Sequence, residues 1–230
     1  MAREEANFER PAPEQQRKDR FRVLAWAGGL GFLLVVSAWL GWGRGEVAEP
    51  APEVLSPFEQ TLAEDPLEAA KAAYGYAGKT WGNGDLIGTV SHAHGATRAA
   101  FTGMMRDGLR GGFEWDEGDD VWRQALSLAG EALGKASWAE LSAGMDLEDQ
   151  AGAMALAEEA WWSSRAAGVA AVAAWDEANA RKGASEDPEM RAAWARSAKA
   201  WAYASDSWSY VLELTEAQLN EATAAWWNEE

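Results

Sequence analysis

Cysteine is absent from the 230 residues, which excludes disulfides, thiolate metal sites, thiol nucleophiles and covalently attached c-type haem. Histidine occurs only twice, too seldom for a three-histidine zinc centre. β-Branched residues become sparse after residue 55, which argues against strands. There is no Gly-x-Ser-x-Gly, no Gly-Lys-Ser/Thr phosphate loop and no dinucleotide glycine fingerprint. The glycine-rich stretch 82–88 lacks the preceding strand that a phosphate loop requires. Bases are also in deficit, 20 against 37 acids, for a net charge of −17. A surface of that sign repels nucleic acid, which is excluded as a partner.

What is present is alanine (49), glycine (23) and tryptophan (15), a composition that points to an all-α chain with small residues and indoles in its core. Val23–Trp42 runs 20 residues without a charge. At about 1.5 Å per residue, a helix of that length crosses a hydrocarbon core of roughly 30 Å. Trp26 lies near one end and Trp39 and Trp42 near the other, where indoles anchor at the interface. Arg17, Lys18, Arg20 and Arg22 precede the run, while only Arg44 follows it before the chain turns acidic. The positive-inside rule therefore predicts a cytoplasmic tail at 1–22, a transmembrane helix at 23–42, and export of everything beyond. A cleaved signal peptide is the competing reading. The run exceeds the usual apolar length, and Glu46 occupies a position before Val47-Ala48 where cleavage wants a small residue.

Residues 43–66 hold Pro50, Pro52, Pro57 and Pro66, so a semi-extended linker is expected there. Residues 67–230 then read as an exported helical domain. Asp65-Pro66-Leu67-Glu68 supplies a cap, a proline at the first helical position and a capping-box acid, for a helix to about Trp81. A second helix is expected from about Asp85 to Leu109, with Ser91, Gly95, Ala99 and Gly103 forming a strip where another backbone approaches closely. A third runs from about 119 to 135 with Trp122, Leu126, Ala129 and Leu133 on one face, followed by a separate turn around 138–145. A fourth covers about 146–181. After a break at 182–188, a fifth runs from Pro188 to about Leu214, restarting at Thr215 or continuing to Trp227.

Heptads mark the last two helices. Met154, Trp161, Gly168 and Trp175 are seven apart, as are Trp194, Trp201 and Trp208. Small residues or valine stand three positions beyond each Trp or Gly, namely Ser164, Ala171 and Ala178, and then Ser197, Ala204 and Val211. This pattern predicts a long antiparallel hairpin with indoles over small residues, and Trp201 buried beside Gly168. A tandem helical repeat of tetratricopeptide type would give a similar offset of 33 residues, but the rest of its signature is missing.

Chemistry is thinly represented. His92 and His94 are two apart, so on a helix they point about 200° away from each other and cannot share one ion. No Glu stands three residues before either, which removes the di-iron bundle motif and leaves single-histidine haem or chlorophyll ligation as the alternative to an ordinary polar role. The acidic tract 114–120 suits calcium by ligand type, yet as an EF-hand it would put Phe113 and Trp115 at ligand positions. Glu158-Glu159 and Asp176-Glu177 are adjacent pairs, which do not face each other on a helix. No catalytic residue, cofactor or metal is therefore assigned. Trp226 and Trp227 are the candidate partner-binding residues, because adjacent indoles on a terminal helix cannot both pack inward.

The leading expectation is a non-enzymatic, single-span accessory or assembly subunit of a larger membrane complex, of respiratory or photosynthetic type. Its partners would be other subunits, the bilayer through Val23–Trp42, and a basic soluble protein attracted by the acidic face. The alternatives are a ligand- or pigment-binding bundle lined by indoles, and a helical hydrolase of cell-wall glycan using paired carboxylates.

Overall fold

A capping side chain followed by proline opens three helices of this chain, and all three starts are made the same way. In the computed structural model, which describes residues 56–110, 120–143 and 150–229, six helices and no strand are found among the described residues. They are α1 (Pro57–Glu64), α2 (Pro66–Gly82), α3 (Leu86–Arg110), α4 (Asp120–Ala143), α5 (Gln150–Ala184) and α6 (Pro188–Glu229). All belong to one compact unit, Val54–Glu230. None is long and apolar enough to cross a membrane, and the expected span Val23–Trp42 lies outside the described residues.

The Asp65 carboxylate accepts from the N–H groups of Leu67 and Glu68 at 3.0 and 3.2 Å, which satisfies two of the orphan donors at the start of α2. Glu68 does not close the capping box; it pairs with Lys71 at 3.2 Å. The Asp187 carboxylate accepts from the Glu189 N–H at 2.9 Å and starts α6 in the same way. Between α2 and α3 the chain turns at Gly84, whose φ of 71° is cheap only for glycine. Asp85 then caps α3 by accepting from the Gly88 N–H at 2.8 Å.

Two boundaries depart from expectation, and a choice left open at a third is settled. The end of the proline-rich stretch is not extended: Ser56 accepts from the Glu59 N–H at 3.2 Å and opens α1. That short helix is held by tertiary contacts, with Leu62 buried, Phe58 packed against the place a Gly95 side chain would fill, and Glu59 paired with Arg98. Arg106 donates to the Glu64 carbonyl at 3.1 Å and closes its C-terminus. Secondly, the helix expected to end near Lys135 continues unbroken to Ala143, because Ala136, Ala139 and Ser142 prolong its buried seam. Of the two courses expected for α6 beyond Leu214, the helix takes the second and continues through Thr215 without a restart. The Thr215 hydroxyl donates back to the Val211 carbonyl at 3.0 Å, as a helix-interior threonine does, instead of capping a new helix.

Cross-helix contacts fix the directions. Thr80 meets Thr89, and Gly103 lies against Pro66, so α2 and α3 are antiparallel. Asp107 pairs with Arg196 while Trp208 reaches Thr97, so α3 and α6 are antiparallel. Trp122 reaches the Ala174 carbonyl and Lys135 pairs with Glu159, so α4 and α5 are antiparallel. The strip at Gly95, Ala99 and Gly103 is used as its spacing predicts, with α1 and the start of α2 lying on it and Ser91 exposed at its end.

The core is built of alanine against indole. On α4 the buried line is Trp122, Ala125, Ala129, Ala132, Ala136 and Ala139; Leu126 and Leu133, expected on the buried face, sit half-buried beside it. Alanine lets the backbones approach closely, and the longer leucines then fit only in the wedges at the side. The α5–α6 hairpin divides the labour further. Trp194, Trp201 and Trp208 of α6 are all buried, whereas Trp161 of α5 is half-buried and Trp175 is 39% exposed. From α5 the core takes Ser164, Ala167, Ala171, Ala174 and Ala178. Gly168 faces Trp208, not Trp201: a Cβ placed on the glycine would lie 3.5 Å from the Cβ of Trp208. An equal offset of 33 residues cannot be the pairing rule of a hairpin, where one position rises as the other falls. Gly168 therefore lies level with Trp208, with Leu212 one turn further on also beside it.

Candidate interaction surfaces

The buried indoles differ in how their N–H groups are satisfied. Trp122 donates to the Ala174 carbonyl at 3.2 Å, and Trp208 donates to the Thr97 hydroxyl at 3.0 Å, itself bonded to the Ala93 carbonyl. The Trp201 N–H has no partner among the described residues, although the ring is fully buried. Trp122 and Trp194 stack at 5.7 Å with the Arg181 guanidinium lying over both, an arrangement that closes the connection end of the hairpin. These groups are structural.

Beyond Thr215 the character of α6 changes. From Glu216 to Trp227 no residue is buried. Leu219, Ala222 and Trp226 lie half-buried on one side, while Trp227 is 62% exposed and meets Trp226 edge-on at 4.8 Å. The Gln218 carbonyl oxygen is enclosed without a hydrogen-bond donor. The terminal turns are therefore a partly covered apolar side beside an outward indole.

His92 and His94 are half-buried on α3. His92 stacks on Tyr76 at 5.3 Å. Burial holds both imidazoles below the ordinary value of 6.5; Asp85 opposes the shift at His92, and Arg98 adds to it at His94. Among the described residues no three His, Asp or Glu side chains come together as a cation site. The acidic tract lies outside the described residues except for Asp120, which pairs with Arg123 at 3.6 Å. Glu158 accepts from the Trp162 indole at 3.3 Å, Glu159 pairs with Lys135 at 2.5 Å, and Glu177 pairs with Arg181 at 2.7 Å.

Two features escaped the sequence. A column of rings, Trp81, Tyr210, Tyr74 and Tyr203, stacks between α2 and α6 at successive spacings of 5.1, 5.8 and 5.6 Å. Tyr74 and Tyr210 share a hydroxyl–hydroxyl hydrogen bond at 3.1 Å, which with burial raises the Tyr74 phenol above its ordinary value. Gly78 leaves the room for Tyr210, and the four-residue step from Tyr74 to Gly78 was the available signal.

The second is the face that α5 turns away from the core. Trp162, Val169, Val172 and Trp175 are exposed there, and a groove runs along each side. The groove against α4 encloses about 540 Å³ and that against α6 about 330 Å³, with Arg165 and Val169 on the ridge between them. Comparison of the chain with family models, with curated proteins and with solved structures returns no match.

Proposed function

We propose that the chain is a membrane-anchored, non-enzymatic accessory or assembly subunit of a larger membrane complex, acting through protein–protein contacts. In this reading Val23–Trp42 spans the bilayer, 1–22 stays in the cytoplasm, and 43–230 stands on the other side. The observation that carries it is the end of α6, where twelve successive residues contain none that is buried and Trp227 projects into solvent. Large exposed apolar groups on a folded domain mark contact surfaces. The acidic balance of residues 43–230, 14 bases against 32 acids, favours a basic soluble protein among the partners. A respiratory or photosynthetic complex is the host class proposed.

The test has two arms. Deleting residues 224–230 should leave the melting temperature of the helical domain nearly unchanged and reduce the proteins that copurify from gentle detergent at native expression. A deletion that unfolds the domain, or a wild-type chain that copurifies with nothing, overturns the reading. For the anchor, cysteine introduced near Glu53 should react with an impermeant reagent from outside the cell, and cysteine near Gln15 should not.

A further inference from the structure

The exposed face of α5 has a charge order that is complementary to itself. Trp162, Arg165, Val169, Val172 and Asp176 follow one another at steps of three and four residues, so they form one line on the helix surface. Arg165 and Asp176 are eleven residues apart, about three turns, and they bracket the two valines. Neither charge has an ion-pair partner among the described residues. The Arg165 guanidinium lies 5.5 Å from the rings of Trp161 and Trp162 and meets no carboxylate among the described residues. Asp176 has no cationic partner among them either, although its neighbour Glu177 has Arg181.

We infer that this face binds a second copy of the chain, with the two α5 helices antiparallel about a two-fold axis between Val169 and Val172. In that register Val169 of one copy opposes Val172 of the other, and Arg165 opposes Asp176, twice by symmetry. The valine ridge of each copy enters a groove of the other, the 540 Å³ groove beside α4 or the 330 Å³ groove beside α6. Parallel pairing would set Arg165 on Arg165 and Asp176 on Asp176, so the same charges that favour one orientation oppose the other. An isologous contact needs a ridge beside a groove on one surface, and α5 supplies both. This surface is distinct from the end of α6, and the inference holds independently of the anchor and of any host complex.

The experiment measures the mass of the full chain in mild detergent micelles by light scattering over a dilution series. The wild type should be a dimer. Arg165→Asp and Asp176→Arg should each weaken self-association by about tenfold or more, since each places like charges opposite one another. An equimolar mixture of the two variants should recover the dimer, because each then supplies the charge that the other lacks; the doubly exchanged chain should recover it as well. Both positions are exposed, so the melting transitions of the variants serve as a check on folding. A monomeric wild type, a dimer indifferent to both single changes, or variants that fail to rescue each other would overturn the inference.

Discussion

Helix α6 is two structures in one. Over its first 28 residues, to Thr215, it buries three indoles, two of them completely, against the small residues of its neighbours. Over the next twelve, to Trp227, it buries nothing, although the sequence there is no less apolar on one side and carries two further indoles. Helical propensity does not separate the two parts, since the backbone runs through both without a break. The difference is in what the neighbours provide. Up to Thr215 the facing helices receive each indole: Trp208 lies on Gly168 and donates to Thr97, Trp194 stacks on Trp122, and Trp201 sits in the alanine-rich core; beyond Thr215 no residue of α6 is buried among the described residues. Burial of an indole therefore depends on what a facing helix sets opposite it, not on the indole's own place in a heptad.

The sharpest way to break this contrast is Trp201→Ala. Removing a fully buried indole from the first part should cost roughly 3–5 kcal/mol by cavity formation, read from denaturant unfolding. A loss below ~1 kcal/mol, the size of a surface change, would remove the distinction between the two parts. The unpartnered N–H of Trp201 reduces what that ring contributes, so Trp208→Ala is the natural comparison.

Next in size is Thr97→Val. It keeps the shape of the side chain and deletes the acceptor for the Trp208 N–H, leaving a buried donor unsatisfied at a cost of about 1–3 kcal/mol. A neutral result would show that the contact between α3 and the first part of α6 is one of packing alone.

A smaller effect is expected from the two histidines, which lie on the helix that packs against that same part. Their folded values lie below 6.5, so folding favours the neutral rings. The stability they contribute is complete above pH 6.5 and is lost as pH falls from 6.5 through the lowered folded values, because the unfolded chain takes up protons first. The melting temperature should accordingly fall across that window, and the His92→Gln/His94→Gln double variant should flatten the fall. The chain lacking residues 224–230 should keep the full pH dependence. The smallest effect is Trp227→Ala, expected within about 0.5 kcal/mol of zero, as exposed positions usually are.

Much of the helical plan was legible locally. Asp65-Pro66 and Asp187-Pro188 announce their helices because a carboxylate cap and a fixed φ act within four residues. Ser56-Pro57 with Glu59 carries the same signal, but it was masked by the surrounding prolines and by the shortness of α1, which depends on Phe58, Leu62 and Arg98 meeting the rest of the chain. The candidate indoles at 226 and 227 were legible in their orientation, since consecutive helical residues diverge by about 100°. The ridge on α5 was not. Of the α5 heptad line expected in the seam, Gly168 is buried but Trp161 is half-buried and Trp175 exposed, and only packing revealed that the seam on α5 is made by the small residues Ser164, Ala171 and Ala178 without the indoles.

Sequence alone therefore determined the all-helical class, the capped starts at Asp65 and Asp187, the close-approach strip on α3 and the sign of the surface charge. Each of these follows from residues near one another in the chain or from composition summed over it. Tertiary structure decided the register of Gly168 against Trp208, the sorting of indoles to α6 and alanines to α5, and the exposure of Val169 between two grooves. Those outcomes depend on which helix comes to lie opposite, and a heptad pattern fits inward or outward equally well until the facing residues fill the space or leave it open.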